Sequence, residues 1–422
     1  MLFSLEALKA QHGDCLLLHW GDPARLILID GGPGPVFRNS LEPRLEQLRE
    51  RRVGEGESLP VDMLVVSHID DDHIAGVLGL TKRLLQEMED DEPTLLDIGL
   101  LWHNAFDDIV GNADALSAGV ASLTASLADF LPDDRLRESR LVLASVNQGR
   151  TLRDQARRVA RSVNAPFAKL VRADAKVKKA AAKKGGAKKA GAAKAAAKKT
   201  AAKNTETSGG RTDVEREGGL TLSVIGPDQE RLEKLSADWE TKVKALKSKD
   251  KKAAAEAAAY LDDSVANLSS IVMIAEMGPK SRRRRMLLTG DARGDYVLEG
   301  LERSGMLKKN GSVHFDLLKL PHHGSHHNVD TDFFERITAD HYVASGDGRH
   351  GNPELETLEM LVESRAAGDE YTLWLTYPPE ECIEHYPGEK VRKLLKKHRV
   401  DVRTPEAGAY GVRVDLGDAL AD

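Results

Sequence analysis

The sequence predicts a layered α/β fold with its chemistry at the ends of strands. Three observations carry that expectation. Apolar runs such as Leu26–Ile29 and Met63–Val66 are strand-sized, the stretches between such runs have helical spacing, and several strands stop at clusters of Asp or His. At 422 residues and 41% hydrophobic, the chain is long enough for one large domain or two ordinary ones.

Leu2–Leu8 and Cys15–Trp20 read as strands around Gln11-His12-Gly13-Asp14, and Arg25–Asp30 follows the turn signal Gly21-Asp22-Pro23. Residues 40–52 have helical spacing through Leu41, Leu45 and Leu48. Met63–Ser67 is a buried strand. From His73 to Met88, Ile74, Val77, Leu80 and Leu84 return to helical spacing. Residues 103–171 read as a mostly helical insertion with no recognisable chemistry. Residues 172–210 read as a basic Lys/Ala-rich insert without an apolar face, hence a mobile one. A strand at Leu220–Ile225 and a charged helix over 229–259 follow. Strands Ser270–Glu276, Met286–Thr289, Phe315–Leu320, His341–Ala344 and Thr372–Thr376 then alternate with helices over 353–365 and 390–398. The expected organisation is one domain in two halves, 1–102 and 211–422, interrupted by the two insertions.

Composition excludes several classes. No apolar run approaches the roughly 20 residues that span a bilayer, so no membrane partner is expected. The start, Met1-Leu2-Phe3-Ser4-Leu5-Glu6, lacks a basic and then apolar leader. Two distant cysteines, Cys15 and Cys382, rule out a disulfide framework and point to the reducing cytoplasm. The net charge of −6 hides an asymmetry: residues 172–204 carry +11, leaving −17 on the remainder. A basic arm on an acidic body is the pattern of a segment that neutralises phosphates, although the insert has no aromatic residue for base stacking and also reads as a solubilising tract. Arg282-Arg283-Arg284-Arg285, between two strands, is either a second phosphate-contacting element or a charged turn.

The loop His68-Ile69-Asp70-Asp71-Asp72-His73 offers five ligand-type side chains between a buried strand and a helix. A two-metal hydrolytic site needs that density, because two cations roughly 3.5–4 Å apart must be held while positions stay open for water and substrate. The plainer reading is an acidic loop that caps the next helix, and Asp71 fits that role better than a ligand's. Met286–Asp291 delivers a further aspartate at a strand end, and Leu317–His327 delivers the cluster His322-His323-Gly324-Ser325-His326-His327. One such strand end is ambiguous; three in this order point to a metal site.

The order Asp30-Gly31-Gly32, His68-x-Asp70-x-Asp72-His73, Thr289-Gly290-Asp291 and Pro321-His322-His323-Gly324-Ser325 resembles the metallo-β-lactamase superfamily. Gly13-Asp14, Asp70 and the Leu-Pro-His-His-Gly-Ser block are similar to the soluble hydrolase domain of ComEC-type DNA-uptake proteins. The resemblance covers about residues 2–102 and 220–415. It implies an αββα sandwich and two divalent cations. His68 and Asp70 would serve the first, Asp72 and His73 the second, with Asp291 bridging and one of His322 or His323 completing the second site. It also implies Asp30 beneath the site and Asn267 where the superfamily usually has histidine. Asn352 stands where the subgroup commonly has histidine, which sets it apart from a proton-donor role at that position. An oxygen-rich first site shifts preference from Zn²⁺ toward Mn²⁺ or Mg²⁺, so Mn²⁺ or mixed occupancy is expected rather than two tight zincs.

The implied function is phosphodiester hydrolysis, most simply by a nuclease using a metal-bridging hydroxide, with Asp70, Asp72, Asp291 and His322 in catalytic roles. Nucleic acid would be held by the basic insert 172–204 and Arg282–Arg285, and a protein partner by the helical insertions. The fold also hosts hydrolases of small phosphoesters, lactones and thioesters, and a degenerate site would make a binding or regulatory module instead.

Overall fold

A computed structural model describes residues 1–54, 56–111, 133–175, 205–208, 210–246, 268–366, 368–383 and 385–420. The N-terminal part contributes β1 (Leu2–Leu8), β2 (Leu16–Gly21), β3 (Arg25–Ile29), β4 (Leu59–Val61), β5 (Met63–Val65), β6 (Leu96–Ile98) and β7 (Leu101–Trp102). The later strands are β8 (Thr205–Ser208), β9 (Arg211–Glu215), β10 (Thr221–Gly226), β11 (Val272–Met277), β12 (Arg284–Leu288), β13 (Val313–Lys319), β14 (Ile337–Ala344), β15 (Thr372–Leu375), β16 (Asp401–Arg403) and β17 (Gly411–Asp415). One sheet has the order β17-β1-β2-β3-β5-β7, the second runs from β16 in descending order to β8, and β4 pairs with β6.

The two large sheets share an inner core. Leu5, Leu16, Leu18, Ile27 and Val65 of the first meet Leu222, Met273, Met286, Leu317 and Val343 of the second. Helices cover both outer faces. On the first sheet, Leu17, Leu28 and Leu64 pack under α1 (Glu42–Arg52) and α2 (Asp71–Glu89). On the second, Ile274, Phe315 and Leu318 pack under α6 (Gly294–Arg303), α7 (Thr331–Arg336), α8 (Leu355–Glu363) and α9 (Gly388–Lys397). The architecture is therefore the αββα sandwich. Strands covered on both sides need no polar face, which is why β2 reads Leu-Leu-Leu.

Each sheet changes from antiparallel to parallel pairing partway across. β1, β2 and β3 are antiparallel, whereas β3, β5 and β7 are parallel; β12 through β16 are parallel as well. The parallel strands of each sheet deliver their carboxyl ends to one rim, where ligands of open α/β sheets gather. Asp30, Ser67, Gly290 and Leu320 follow β3, β5, β12 and β13 there.

Helix α2 is stitched to the loop after β3. Gly31 N donates to the His73 carbonyl and Gly76 N to the Gly32 carbonyl, both at 2.8 Å. A Cβ on Gly76 would stand 1.9 Å from the Gly31 carbonyl oxygen, so only glycine allows this approach. The stitch sets the height of His73 over the first sheet.

Several elements differ from expectation. Strands β4, β6, β7, β9, β16 and β17 are short or lack an apolar run, and their pairing is tertiary. The insertion over 103–171 is integrated into the outer layer. Its helix α4 (Asp133–Val159), which follows the short α3 (Phe106–Val110), buries Leu152 and Ala156 in the cluster that holds α2. Residues 160 and 163 bridge to Ile98 and Leu101. The packed chain continues to Ala175, past the expected start of the basic insert at 172, and Ala173 N donates to the Pro227 carbonyl at 2.8 Å. Residues 176–204 of that insert lie outside the described residues. Of the expected 229–259 helix, α5 (Gln229–Leu246) is described, and Asn267 also lies outside the described residues. Among the described residues no helix is long and apolar enough to cross a membrane.

Candidate metal centre

Six expected site residues converge on the rim: His68, Asp70, Asp72 and His73 from the first sheet, and Asp291 and His323 from the second. His73 Nε2 lies 3.2 Å from Asp291 Oδ1 and 3.3 Å from His323 Nε2. His323 Nε2 is 3.4 Å from Asp291 Oδ2 and 3.5 Å from Asp72 Oδ2. His68 Nε2 stands 3.6 Å from Asp70 Oδ2 and 3.7 Å from Asp291 Oδ2. Asp291 thus touches both groups from the middle.

The local backbone explains the presentation. Asp30, His322 and His323 all have left-handed φ values, 57°, 47° and 57°. Non-glycine residues tolerate that region only where the surroundings hold them. Two successive left-handed residues turn neighbouring imidazoles different ways. His323 goes inward and is 1% exposed; the His322 side chain stays 35% exposed, with its Nε2 3.6 Å from Asp291 Oδ2 and its Nδ1 2.8 Å from Asn328 Oδ1. The buried member of the pair is His323.

Beneath the rim, carboxylates orient the imidazoles. Asp30, 1% exposed, accepts from the Ser67 backbone N–H and hydroxyl, both at 2.7 Å, and from His73 Nδ1 at 2.9 Å. The neutral His73 ring therefore presents Nε2 as an acceptor to the cluster. With its hydroxyl proton given to Asp30, Ser67 Oγ accepts from His68 Nδ1 at 3.0 Å, which presents His68 Nε2 in the same way. Asp14 plays the matching part for His323. Its Oδ1 is 3.3 Å from His323 Nδ1 and accepts from the Ser345 hydroxyl, and its Oδ2 pairs at 2.9 Å with the buried Lys319 ammonium. Both Asp14 oxygens are thus engaged, so it orients a ligand rather than serving as one, although it lies within 4.8 Å of His73, Asp291 and His323 atoms.

Charge inside the cluster is mutually stabilised. Burial disfavours the His73 imidazolium, but Asp291, Asp30 and Asp72 outweigh it and raise its pKa well above the ordinary value. His323 is raised likewise, against burial, by Asp291 and Asp14. His68 is raised too: burial and His73 oppose its charge, while Asp291 and Asp70 favour it. Burial pushes the carboxyls up, yet the imidazoles around Asp291 hold it well below the carboxylate range, and His73 and His323 hold Asp72 below it. Lys319 and His323 do the same for Asp14 against its burial.

Three buried atoms test the fit of a cation. His68 Nε2, Asp70 Oδ1 and Asp291 Oδ1 have no hydrogen-bond partner among the described residues. Leaving such groups unsatisfied costs roughly 1–3 kcal/mol each, more if charged. Together with the converging Nε2 atoms of His73 and His323, they form a donor set that fits a divalent metal: imidazole nitrogens and carboxylate oxygens, with no thiolate. This buried Asp/His cluster could hold a metal ion.

The remaining sites resolve differently. Asp71, at the start of α2, accepts from Gln148 Nε2 at 2.6 Å and anchors α4. Asn352 is buried near His322, with its Nδ2 3.4 Å from the His322 carbonyl oxygen. Arg282 and Arg283 lie in the turn between β11 and β12 and Arg284 and Arg285 open β12, at the opposite end of that strand from Asp291, roughly 20 Å away at the strand rise. Arg284 pairs with Asp316 at 2.5 Å, Arg283 lies 3.7 Å from Glu276, and Arg285 stacks over Phe315.

Sequence reasoning missed the supporting residues Asp14, Ser67, Lys319, Asn328 and Ser345 in these roles. It also missed the edge-on pair His12 and His350, whose ring centroids are 5.1 Å apart. The usable signals were a lysine in the apolar run Leu317–Leu320 and a carboxylate directly before the apolar β2, both unlikely to be buried unpaired.

No family profile matches the chain. A 122-residue stretch is 32% identical to microtubule-associated protein 1A of Homo sapiens, over 28% of this chain and 4% of that protein. An 85-residue stretch is 39% identical to the Rattus norvegicus protein, over 18% of this chain and 3% of that one. The chain therefore spans only a few per cent of the length of the curated relatives it matches. Among solved structures, the metallo-beta-lactamase fold protein YhfI from Bacillus subtilis aligns over 98% of this chain and 100% of its own, with 10% identity and a TM-score of 0.37. Unliganded yeast PDE1 aligns over 98% and 99%, with 11% identity and a TM-score of 0.37. Those scores carry no argument alone; the four-layer architecture rests on the sheet order and the three apolar cores between layers.

Proposed function

We propose that this chain is a metal-dependent hydrolase of phosphodiesters, with nucleic acid as the substrate class. The observation that carries the reading is the convergence of unpartnered His68 Nε2, Asp70 Oδ1 and Asp291 Oδ1 on the Nε2 atoms of His73 and His323. His73, His323, Asp72 and Asp291 would hold one divalent cation, and His68, Asp70 and Asp291 the other. Bound cations supply Lewis-acid stabilisation to the attacking and leaving oxygens.

The chain's own residues do the rest. Asp30 and Asp14 fix the tautomers of His73 and His323, and Ser67 fixes that of His68. His322 Nε2, on the open side of Asp291, is the atom placed to pass a proton to a leaving group. The basic stretch 172–204 on an acidic body supports a polyanionic substrate, as does the resemblance to ComEC-like domains. Three carboxylates among six ligands support Mn²⁺ over Zn²⁺.

The test is cleavage of single- and double-stranded DNA and RNA by protein loaded separately with Mn²⁺ and Zn²⁺, against a His68→Ala/Asp72→Ala variant. Mn²⁺-supported cleavage absent from the variant is expected. Equal cleavage by both proteins, or none of any nucleic acid, would overturn the reading. Full activity with zinc alone would overturn the metal preference.

A further inference from the structure

A second cluster of charge lies on the outer side of the first sheet. A cavity of about 540 Å³ opens between the edge strand β7 and the carboxyl half of α4. Arg153, Arg157, Arg161 and Lys169 line it, against one lining carboxylate, Asp108. Arg153 and Arg157 are four residues apart on α4, where side chains of like charge face each other at roughly 6 Å and destabilise a helix. Arg153 lies 3.3 Å from Asp107, Lys169 lies 3.6 Å from Asp108, and Arg161 pairs with Asp97. Arg157 has no ion-pair partner among the described residues.

The wall of the cavity is built, not merely charged. His103 lines it, is 2% exposed, and carries a buried Nδ1 with no hydrogen-bond partner. Burial keeps its imidazole neutral, with a pKa pushed down to about 4. Its backbone N–H is fixed at 2.9 Å by the side chain of buried Asn164, which also lines the space. An excess of cations and a like-charge pair one helical turn apart share one remedy, an anion with several oxygens.

We propose that this cavity binds a chain of consecutive phosphates. Guanidinium forks match phosphate oxygens in pairs, and a ladder of arginines continuing past the helix end at Arg161 reaches more than one phosphate. The ligand comes from a nucleic-acid strand or from free polyphosphate. Only the His103 end of the cavity reaches the rim that carries the metal centre: Val66 N, two residues before His68, donates to the Trp102 carbonyl at 2.8 Å, directly before His103. The proposal concerns binding alone and does not rest on hydrolysis.

Calorimetric titration of the full chain in chelator, with tripolyphosphate and with a short oligothymidylate, tests it separately from any cleavage assay. Arg157→Ala, which removes an exposed residue without a described partner, should leave the melting temperature unchanged and weaken binding about tenfold, with partial recovery in Arg157→Lys. Lys169→Ala should weaken it in the same direction, whereas Lys280→Ala, on the far hairpin, should not. Loss for the oligonucleotide alone or for both ligands assigns a nucleic-acid strand; loss for tripolyphosphate alone assigns the free anion. No binding of either ligand, or affinities within twofold in both Arg157→Ala and Lys169→Ala, overturns the proposal.

Discussion

The two halves of the candidate metal centre are built to different standards. Around His73 and His323, each imidazole has a buried carboxylate behind it, and one of those carboxylates is itself held by Lys319 and Ser345. Around His68 and Asp70, only the Ser67 hydroxyl backs the imidazole, and two of the three unpartnered atoms belong to these residues. The first half is pre-organised before any cation arrives. The second relies on the cation to complete it. Preorganisation lowers the cost of binding, so the His73/His323 half should fill first and the His68/Asp70 half should exchange.

The largest effect should come from the residue the halves share. Asp291→Ala removes a ligand from both and should lower kcat roughly a thousandfold or more while abolishing tight metal retention. Metal content after dialysis and turnover, measured together, check this. Retained full occupancy would show that Asp291 does not bridge.

Next, the halves should separate by mutation. His323→Ala should cost the retained cation, whereas His68→Ala should keep roughly one cation per chain and lose most of the activity. Equal retention in the two variants would dissolve the distinction. The supporting carboxylates come third. Asp30→Asn should weaken the tighter cation by about 10–100-fold. Asp14→Asn should do likewise and also destabilise the metal-free protein by about 3–5 kcal/mol, because it leaves the Lys319 ammonium buried and unpaired. Chemical denaturation of the two variants tells them apart.

The last effect is the response to pH, which needs no mutation. The imidazoles of His73, His323 and His68 are all raised above the unfolded value of about 6.5. In metal-free protein they therefore contribute stability that is full below about pH 6.5 and is lost as pH rises through their raised values. A cation must displace those protons. Affinity at the His73/His323 half should fall by about two decades per pH unit on acidification, against about one decade at the other half, read from competition with a chelator.

Much of this was legible because strand ends are local events. An apolar run followed by Asp or His can be read within ten residues, and the three ligand-bearing segments appear in order. The supporting layer was not legible for the opposite reason. Asp14 meets Lys319 and Ser345 across more than three hundred residues, and only the pairing of β13 with β14 and the stacking of the two sheets create that meeting. The choice between His322 and His323 was closed to sequence as well. It depends on two left-handed backbone angles that adjacent identical residues cannot announce. The chemistry of the region after residue 103 went unread because Arg153, Arg157 and Arg161 look like a solvated helical face until β7 and His103 stand opposite them.

The centre draws His68, Asp70, Asp72 and His73 from one sheet and Asp291 and His323 from the other. A cation held there is a rivet through both layers. It closes a loop of more than two hundred residues, and the entropy of opening so long a loop is withheld from the unfolded chain only while the rivet is in place. Metal supply would then govern the lifetime of the folded protein as well as its turnover.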